Sequence, residues 1–202
     1  MYALITDGSI TKHLSGNRGI QVGDIKYARD IFSKWTEAER NAIGIFEIIS
    51  DNTKQKDDVY YHNTNQTFTY DADAGTVTAT YGDATAKPNA DTLWTAQDES
   101  DGKGTEGEVA YRGLKYNFIQ KLKSQVADEL KKTDWYVIRK TEKSTAIPSA
   151  ITNHRNAVRT KQASMETAIT NASDTAALET LYTYTEQEDG STARPLGELP
   201  TL

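Results

Sequence analysis

The apolar residues of this chain change their spacing part-way along, and that change limits the possible folds more than any other feature. In Phe68-Thr69-Tyr70 and Val77-Thr78-Ala79-Thr80-Tyr81 they alternate with threonine, the period-2 pattern of strands with one face buried. From about Glu108 the period lengthens. Leu114, Phe118, Leu122, Val126 and Leu130 recur every four residues, with Ile119 beside them and Lys and Gln between. That spacing predicts an amphipathic helix of about six turns. A single switch from the strand period to the helix period predicts an α+β fold with the helices gathered at the C-terminal end.

Local signals fill in this frame. Asp7-Gly8 between Tyr2-Ala3-Leu4-Ile5 and Ile10 to His13 is a two-residue hairpin turn, because both central residues of that turn need positive φ. Ser15 to Gly19 reads as a loop and Ile20 to Val22 as a short strand. Thr36-Glu37-Ala38-Glu39 is a capping box that opens a short helix, and Ile45 to Ile49 follows as a strand. Val59 to His62 reads as extended. Gln66 to Tyr70 and Thr76 to Tyr81 form a second hairpin. Ala84 to Gly107 carries Pro88, many acids and only Leu93 and Trp94 as apolar anchors.

After the long helix, Tyr136 to Arg139 reads as a short extended piece. Pro148 opens another helix, in which Ile151, Val158, Met165 and Ala172 lie seven apart, with Ile169 on the same side. The positions three later are His154, Lys161 and Ala168, so only one strand of a coiled-coil seam is apolar. This favours a helical hairpin within the chain, packed on the 108–132 helix. Ser173-Asp174 caps a last helix, and the tail Arg194 to Pro200 is extended and apolar enough to dock. The layout is a small α+β module over residues 1–50, a β-hairpin segment over 51–83, a linker or arm over 84–107, and a helical domain with an extended tail over 108–202.

Apolar residues make up 37% of the chain, below the usual share of roughly 45–50% counted with glycine. The cores are therefore expected to be small or completed by a partner. No apolar run is long enough for a membrane span. The start has no basic n-region and meets a turn at once, so no signal peptide is expected. Cysteine is absent, which excludes disulfides, thiolate metal sites and cysteine nucleophiles. The net charge of -6 is uneven: residues 51–108 carry twelve acidic and four basic side chains, residues 109–172 five acidic and twelve basic. Such an asymmetry favours charge-complementary packing between segments or copies.

Catalytic and metal-binding patterns are not complete. His13, His62 and His154 have no zinc spacing and read as surface or turn residues. Gly16-Asn17-Arg18-Gly19 lacks the Lys-Ser/Thr and the strand–loop–helix setting of a phosphate loop. Asp71-Ala72-Asp73 and Asp98 to Gly102 do not complete a calcium loop, and turn chemistry accounts for them. The basic helix face of Lys115, Lys121, Lys123, Lys131 and Lys132 has no aromatic-studded groove for nucleic acid. The sequence predicts no cofactor, no metal, no nucleic acid and no membrane partner.

One stretch carries a family likeness. A helix ending Leu130-Lys131-Lys132 runs into Thr133-Asp134-Trp135. Pro148 follows, and then His154-Arg155-Asn156-Ala157-Val158-Arg159, with two arginines four apart. In this, residues 124–159 resemble the helical region of phage tail fibre assembly and tail assembly chaperone proteins. The opening Tyr2 to Ile10 is similar to the start of those proteins and of uncharacterised marine phage tail proteins. Two features depart from the family pattern: the gap from Trp135 to Arg155 is long, and His154 stands where an aromatic commonly precedes the first arginine. The resemblance implies a non-enzymatic virion protein of a tailed phage, made in the host cytoplasm. It would reside in the tail, baseplate or fibre attachment, bound to other tail proteins or to copies of itself. A tail fibre assembly chaperone is the alternative, and a tail-borne polysaccharide-degrading enzyme a distant third.

The motif also has a physical reading. Thr133 or Asp134 caps or turns the chain, and Trp135 buries its ring between helices. Arg155 and Arg159, one turn apart, pair with Asp134, Asp128 or Glu129.

Overall fold

A computed structural model describes all residues, Met1–Leu202. The chain forms two compact units, Met1–Thr85 and Ala86–Leu202, and the fold is α+β.

In the first unit the sequence order is β1 (Tyr2–Thr6), β2 (Ser9–Leu14), β3 (Ile20–Val22), β4 (Ile25–Tyr27), α1 (Ile31–Lys34), α2 (Glu37–Ala42), β5 (Ile45–Asp51), β6 (Tyr61–His62), β7 (Thr67–Asp71) and β8 (Thr76–Thr80), and the two-residue β9 (Thr85–Ala86) falls at the boundary. Five strands make one sheet in the order β2-β1-β5-β8-β7. β1 runs antiparallel to both β2 and β5, β7 antiparallel to β8, and β5 parallel to β8 with Ile48 opposite Val77. Asp7 and Gly8 turn β1 into β2 with φ of 51° and 73°, as the hairpin requires. The ring of His13 on β2 lies 4.2 Å from that of Phe68 on β7, so the sheet curls until its two edges meet.

The pleat sorts side chains onto two faces. Ala3, Phe46 and Val77 fill the inside of the curl with Ile5, Ile10, Ile48 and Tyr70. Leu4 and Ile45 point the other way and meet Ile20 and Ile31, with Tyr27, Phe32 and Trp35 around them. The parallel β5–β8 ladder merges the expected 1–50 module and 51–83 hairpin into one structure. Sequence spacing does not encode that pairing, because the two strands are distant in the chain and each reads the same with any neighbour.

The second unit begins with a strap. It comprises β10 (Thr92–Leu93), α3 (Ala96–Ser100) and β11 (Val109–Tyr111), the two strands antiparallel. The helices α4 (Leu114–Lys131), α5 (Asp134–Lys143), α6 (Ser149–Asn171) and α7 (Thr175–Tyr182) follow, then the hairpin β12 (Thr185–Glu186) and β13 (Thr192–Ala193). α4 and α6 pack antiparallel. Lys115 Nζ donates to the Thr170 carbonyl at one end (2.7 Å), and Arg155 reaches Leu130 at the other. Their facing stripes are Leu114, Phe118, Leu122 and Val126 against Ile151, Val158, Met165 and Ile169, all buried. The heptad-spaced set thus lines an intramolecular hairpin.

Residues 84–107, expected to be a linker or arm, carry β9, β10 and α3. Thr95 caps α3: its hydroxyl accepts the Asp98 N–H, while the Asp98 carboxylate accepts the Thr95 N–H. The pattern escapes a search for Thr-x-x-Glu because Asp plays the acid. The Pro88 and Asn89 carbonyls accept the free N–H groups of Leu114 and Lys115 at the start of α4 (3.0 and 3.1 Å). The long helix therefore starts at Leu114, and the expected first turns from Glu108 belong to β11. Thr175 Oγ1 donates to the Lys87 carbonyl (2.8 Å), which fastens the strap to α7 as well. The C-terminal tail does dock, and it does so on its own unit. Leu196 is buried; its carbonyl accepts from Lys161 Nζ (2.9 Å) and its N–H donates to the Leu181 carbonyl (3.1 Å).

Candidate interaction site

The closed end of the α4–α6 hairpin brings together the residues of the Thr133–Arg159 motif. α4 ends at Lys131, leaving its last carbonyls without helical partners. Thr133 turns the chain there. Its N–H donates to the Leu130 carbonyl (3.0 Å), and its hydroxyl donates to the same oxygen (2.9 Å). Thr133 is fully buried. It holds the N-cap position of α5, yet its side chain makes no capping bond, because the hydroxyl is committed to α4 and α6.

Arg155 completes the junction from α6. Its Nη1 lies 2.8 Å from the Leu130 carbonyl, 2.7 Å from Thr133 Oγ1 and 2.9 Å from Asp134 Oδ1. Its side chain is only 12% exposed. One guanidinium thus ties the end of α4, the turn and the start of α5 to α6. Arg159, one turn on, reaches no carboxylate; its Nη1 donates to the Arg155 carbonyl at 3.4 Å. Pro148 occupies the N-cap position of α6, where its carbonyl accepts the Thr152 N–H (3.1 Å).

A second polar knot lies beside the first. Glu129 is buried on α4, with His154 Nε2 3.1 Å from one carboxylate oxygen and Lys132 Nζ 2.5 Å from the other. The Lys132 hydrogen bond lowers the Glu129 carboxyl from its ordinary value; burial opposes this, while the Lys132 charge, a Leu202 backbone N–H and His154 add to it. His154 is therefore a buried partner in the hairpin, not a surface histidine. The signal was its place three residues after Ile151, on the inward side of the heptad. The other histidines are exposed.

Trp135 departs from its expected role. It is 50% exposed and lies on a helix, α5, with no buried residue. The expected extended piece at Tyr136 to Arg139 is the body of that helix. Asp134 in its first turn and Lys140 and Lys143 in its last suit the helix dipole, and Ser144 ends it with φ 55°. Thr133 takes the inward position, so Trp135, two residues and about 200° further round at 3.6 residues per turn, points outward. The Trp135 ring stacks on Tyr136 (centroids 3.8 Å apart), and the Arg139 guanidinium lies over both at 4.7 and 5.1 Å. Val137 and Ile138 are 40% and 56% exposed. α5 is thus held firmly at its N-terminus and shows tryptophan, valine and isoleucine to solvent.

No three His, Asp or Glu side chains converge as metal ligands. Asp71 is occupied by the N–H groups of Asp73 and Ala74 in a turn. Asp98 is held by Thr95 and Lys103, which lower its pKa to about 2. No helix is long and apolar enough to cross a membrane. Compared with known proteins, the chain matches no family model, no curated protein and no solved structure.

Proposed function

We propose that this chain is a non-enzymatic structural component of a tailed-phage virion, seated in the tail, baseplate or fibre attachment and acting through protein–protein contacts. The observation that carries the reading is α5. The helix that bears the family-like Thr133-Asp134-Trp135 triplet is clamped by Arg155 at one end and presents Trp135, Val137 and Ile138 outward. Exposed tryptophan beside arginine, on a helix with few internal contacts, is the composition of an interface anchor. The occupant of this face is another protein of the same particle.

A fibre assembly chaperone would use the same face and differ in when it leaves, a reading favoured by the family to which residues 124–159 are similar. Mass spectrometry of purified particles separates the two. The structural role predicts the chain in mature particles at a fixed ratio to the other tail proteins. Its absence there, with fibres that fail to assemble in its absence, would support the chaperone instead.

A further inference from the structure

We infer that the first unit holds a site for a small oxyanion, a phosphate or carboxylate group, in the cleft around the Ser15–Gly19 loop. The loop closes a cavity of about 160 Å³ lined by Lys12, His13, Ser15, Gly16, Arg18 and Gly19 among others. That volume is about five waters at roughly 30 Å³ each, enough for one tetrahedral anion and its nearest waters. A neighbouring hollow that shares Ser15, Gly16 and Phe32 adds Asn17 and Arg29. Neither lining contains an aspartate or glutamate. Lys12, Arg18 and Arg29 make no salt bridge in the structure, although the chain has 29 acidic and 23 basic side chains. Two unpaired cations on a cavity with no acid, and a third on the hollow beside it, in an acidic protein, form a local positive field suited to an anion.

The loop is also built to hold its shape. A side chain on Gly16 would stand 3.0 Å from the Tyr2 ring, and one on Gly19 would stand 2.7 Å from the Tyr27 carbonyl. Both glycines are therefore pressed against the unit. The backbone N–H groups of Gly16, Asn17, Arg18 and Gly19 donate to no carbonyl of the chain. His13, on the cleft wall, is fixed by its stack on Phe68 at 4.2 Å. This arrangement owes nothing to a helix N-terminus and is unrelated to the strand–loop–helix phosphate motif.

The test is titration of the full chain with inorganic phosphate at constant ionic strength, followed by amide NMR. Saturable shifts confined to residues 12–20 and Arg29 are the expected result. Lys12→Glu and Arg18→Glu should each weaken the response about tenfold or more, the scale of one lost charge-assisted contact. Lys26→Glu, outside the lining, should leave it unchanged. Glucose 6-phosphate and glucuronate are then compared. Tighter binding of the first identifies a phosphoester as the recognised group, and of the second a sugar acid; either supports the site. Shifts that grow linearly without saturation, spread over surface lysines or survive in Arg18→Glu would overturn it. Arg18 is exposed and unpaired, so its variant should fold, which the unchanged amides of the remote strands would verify.

Discussion

The two units solve the same packing problem by different means. In the first, the register of each strand is set by its ladder and by the pleat. One residue of slip would send Ala3, Phe46 and Val77 to the wrong face. That core needs almost no polar side chains; Arg40, which donates to the Trp35 carbonyl, is the exception. In the second, α4 and α6 have no ladder between them, and apolar stripes alone tolerate sliding. There the closed end of the hairpin carries Glu129, Thr133, His154 and Arg155, whose bonds exist only when Leu130 lies opposite Arg155. Where the backbone does not fix register, buried polar partners do so, and the same residues aim α5.

The largest effects expected from this contrast lie in the sheet. Ile45→Ala empties a fully buried position on β5 and should cost about 2–5 kcal/mol in urea unfolding. Ile49→Ala, at a site 54% exposed on the same strand, should stay within about 0.5 kcal/mol. Ile49 shares the face of Ile45 but lies outside the Leu4–Ile20–Ile31 cluster, so equal losses at both would show that this core does not end where described.

In the helical unit the informative pair is one turn apart. Arg155→Ala removes the guanidinium's bonds to the Leu130 carbonyl, the Thr133 hydroxyl and Asp134, and should cost about 2–3 kcal/mol. Arg159→Ala removes one long bond and no ion pair, and should cost less than about 0.5 kcal/mol. A reversal of that order would break the claim that Arg155 fastens the junction.

The third expectation concerns acid. The folded-state pKa of Glu129 is lowered, by Lys132 first, so the folded state favours the carboxylate. Its contribution is present above the ordinary carboxylate range and is lost as pH falls through the lowered value. Asp98 behaves likewise between its ordinary 3.8 and about 2. Unfolding followed against pH should show stability falling below pH 4. Glu129→Gln should flatten that fall, and it should do so in amide exchange of α4 and α6 and not in α3. An unchanged slope would contradict the knot.

Much of this fold was legible. The switch of apolar period placed sheet before helices, Asp7-Gly8 and the Thr36 box marked local turns and caps, and the heptad from Ile151 marked the inner face of α6. These signals are local, because propensity and capping act over a few residues. The β5–β8 pairing was not legible, since it joins strands far apart in the chain. Nor was α5. Trp135 reads as a ring buried between helices and Tyr136 to Arg139 as a short extended piece, whereas Trp135, Val137 and Ile138 are exposed, because a sequence shows that a residue is apolar and not whether the chain itself covers it. At the candidate site Arg155 meets Asp134, one of the carboxylates expected for it, and also holds Thr133, which the sequence did not suggest. Trp135 turns out because Thr133 turns in.

We propose that α5 is an anchored contact surface of a phage particle. It is tested most directly by complementing the parent phage with Ile138→Asp and, as control, Arg159→Ala, and measuring each chain in purified particles. Because Ile138 is more than half exposed, the folded chain should tolerate the aspartate, as circular dichroism of the free protein would verify. The account predicts that the Arg159→Ala chain enters particles at the wild-type level and that the Ile138→Asp chain, folded, does not. Incorporation of both at equal levels would contradict it.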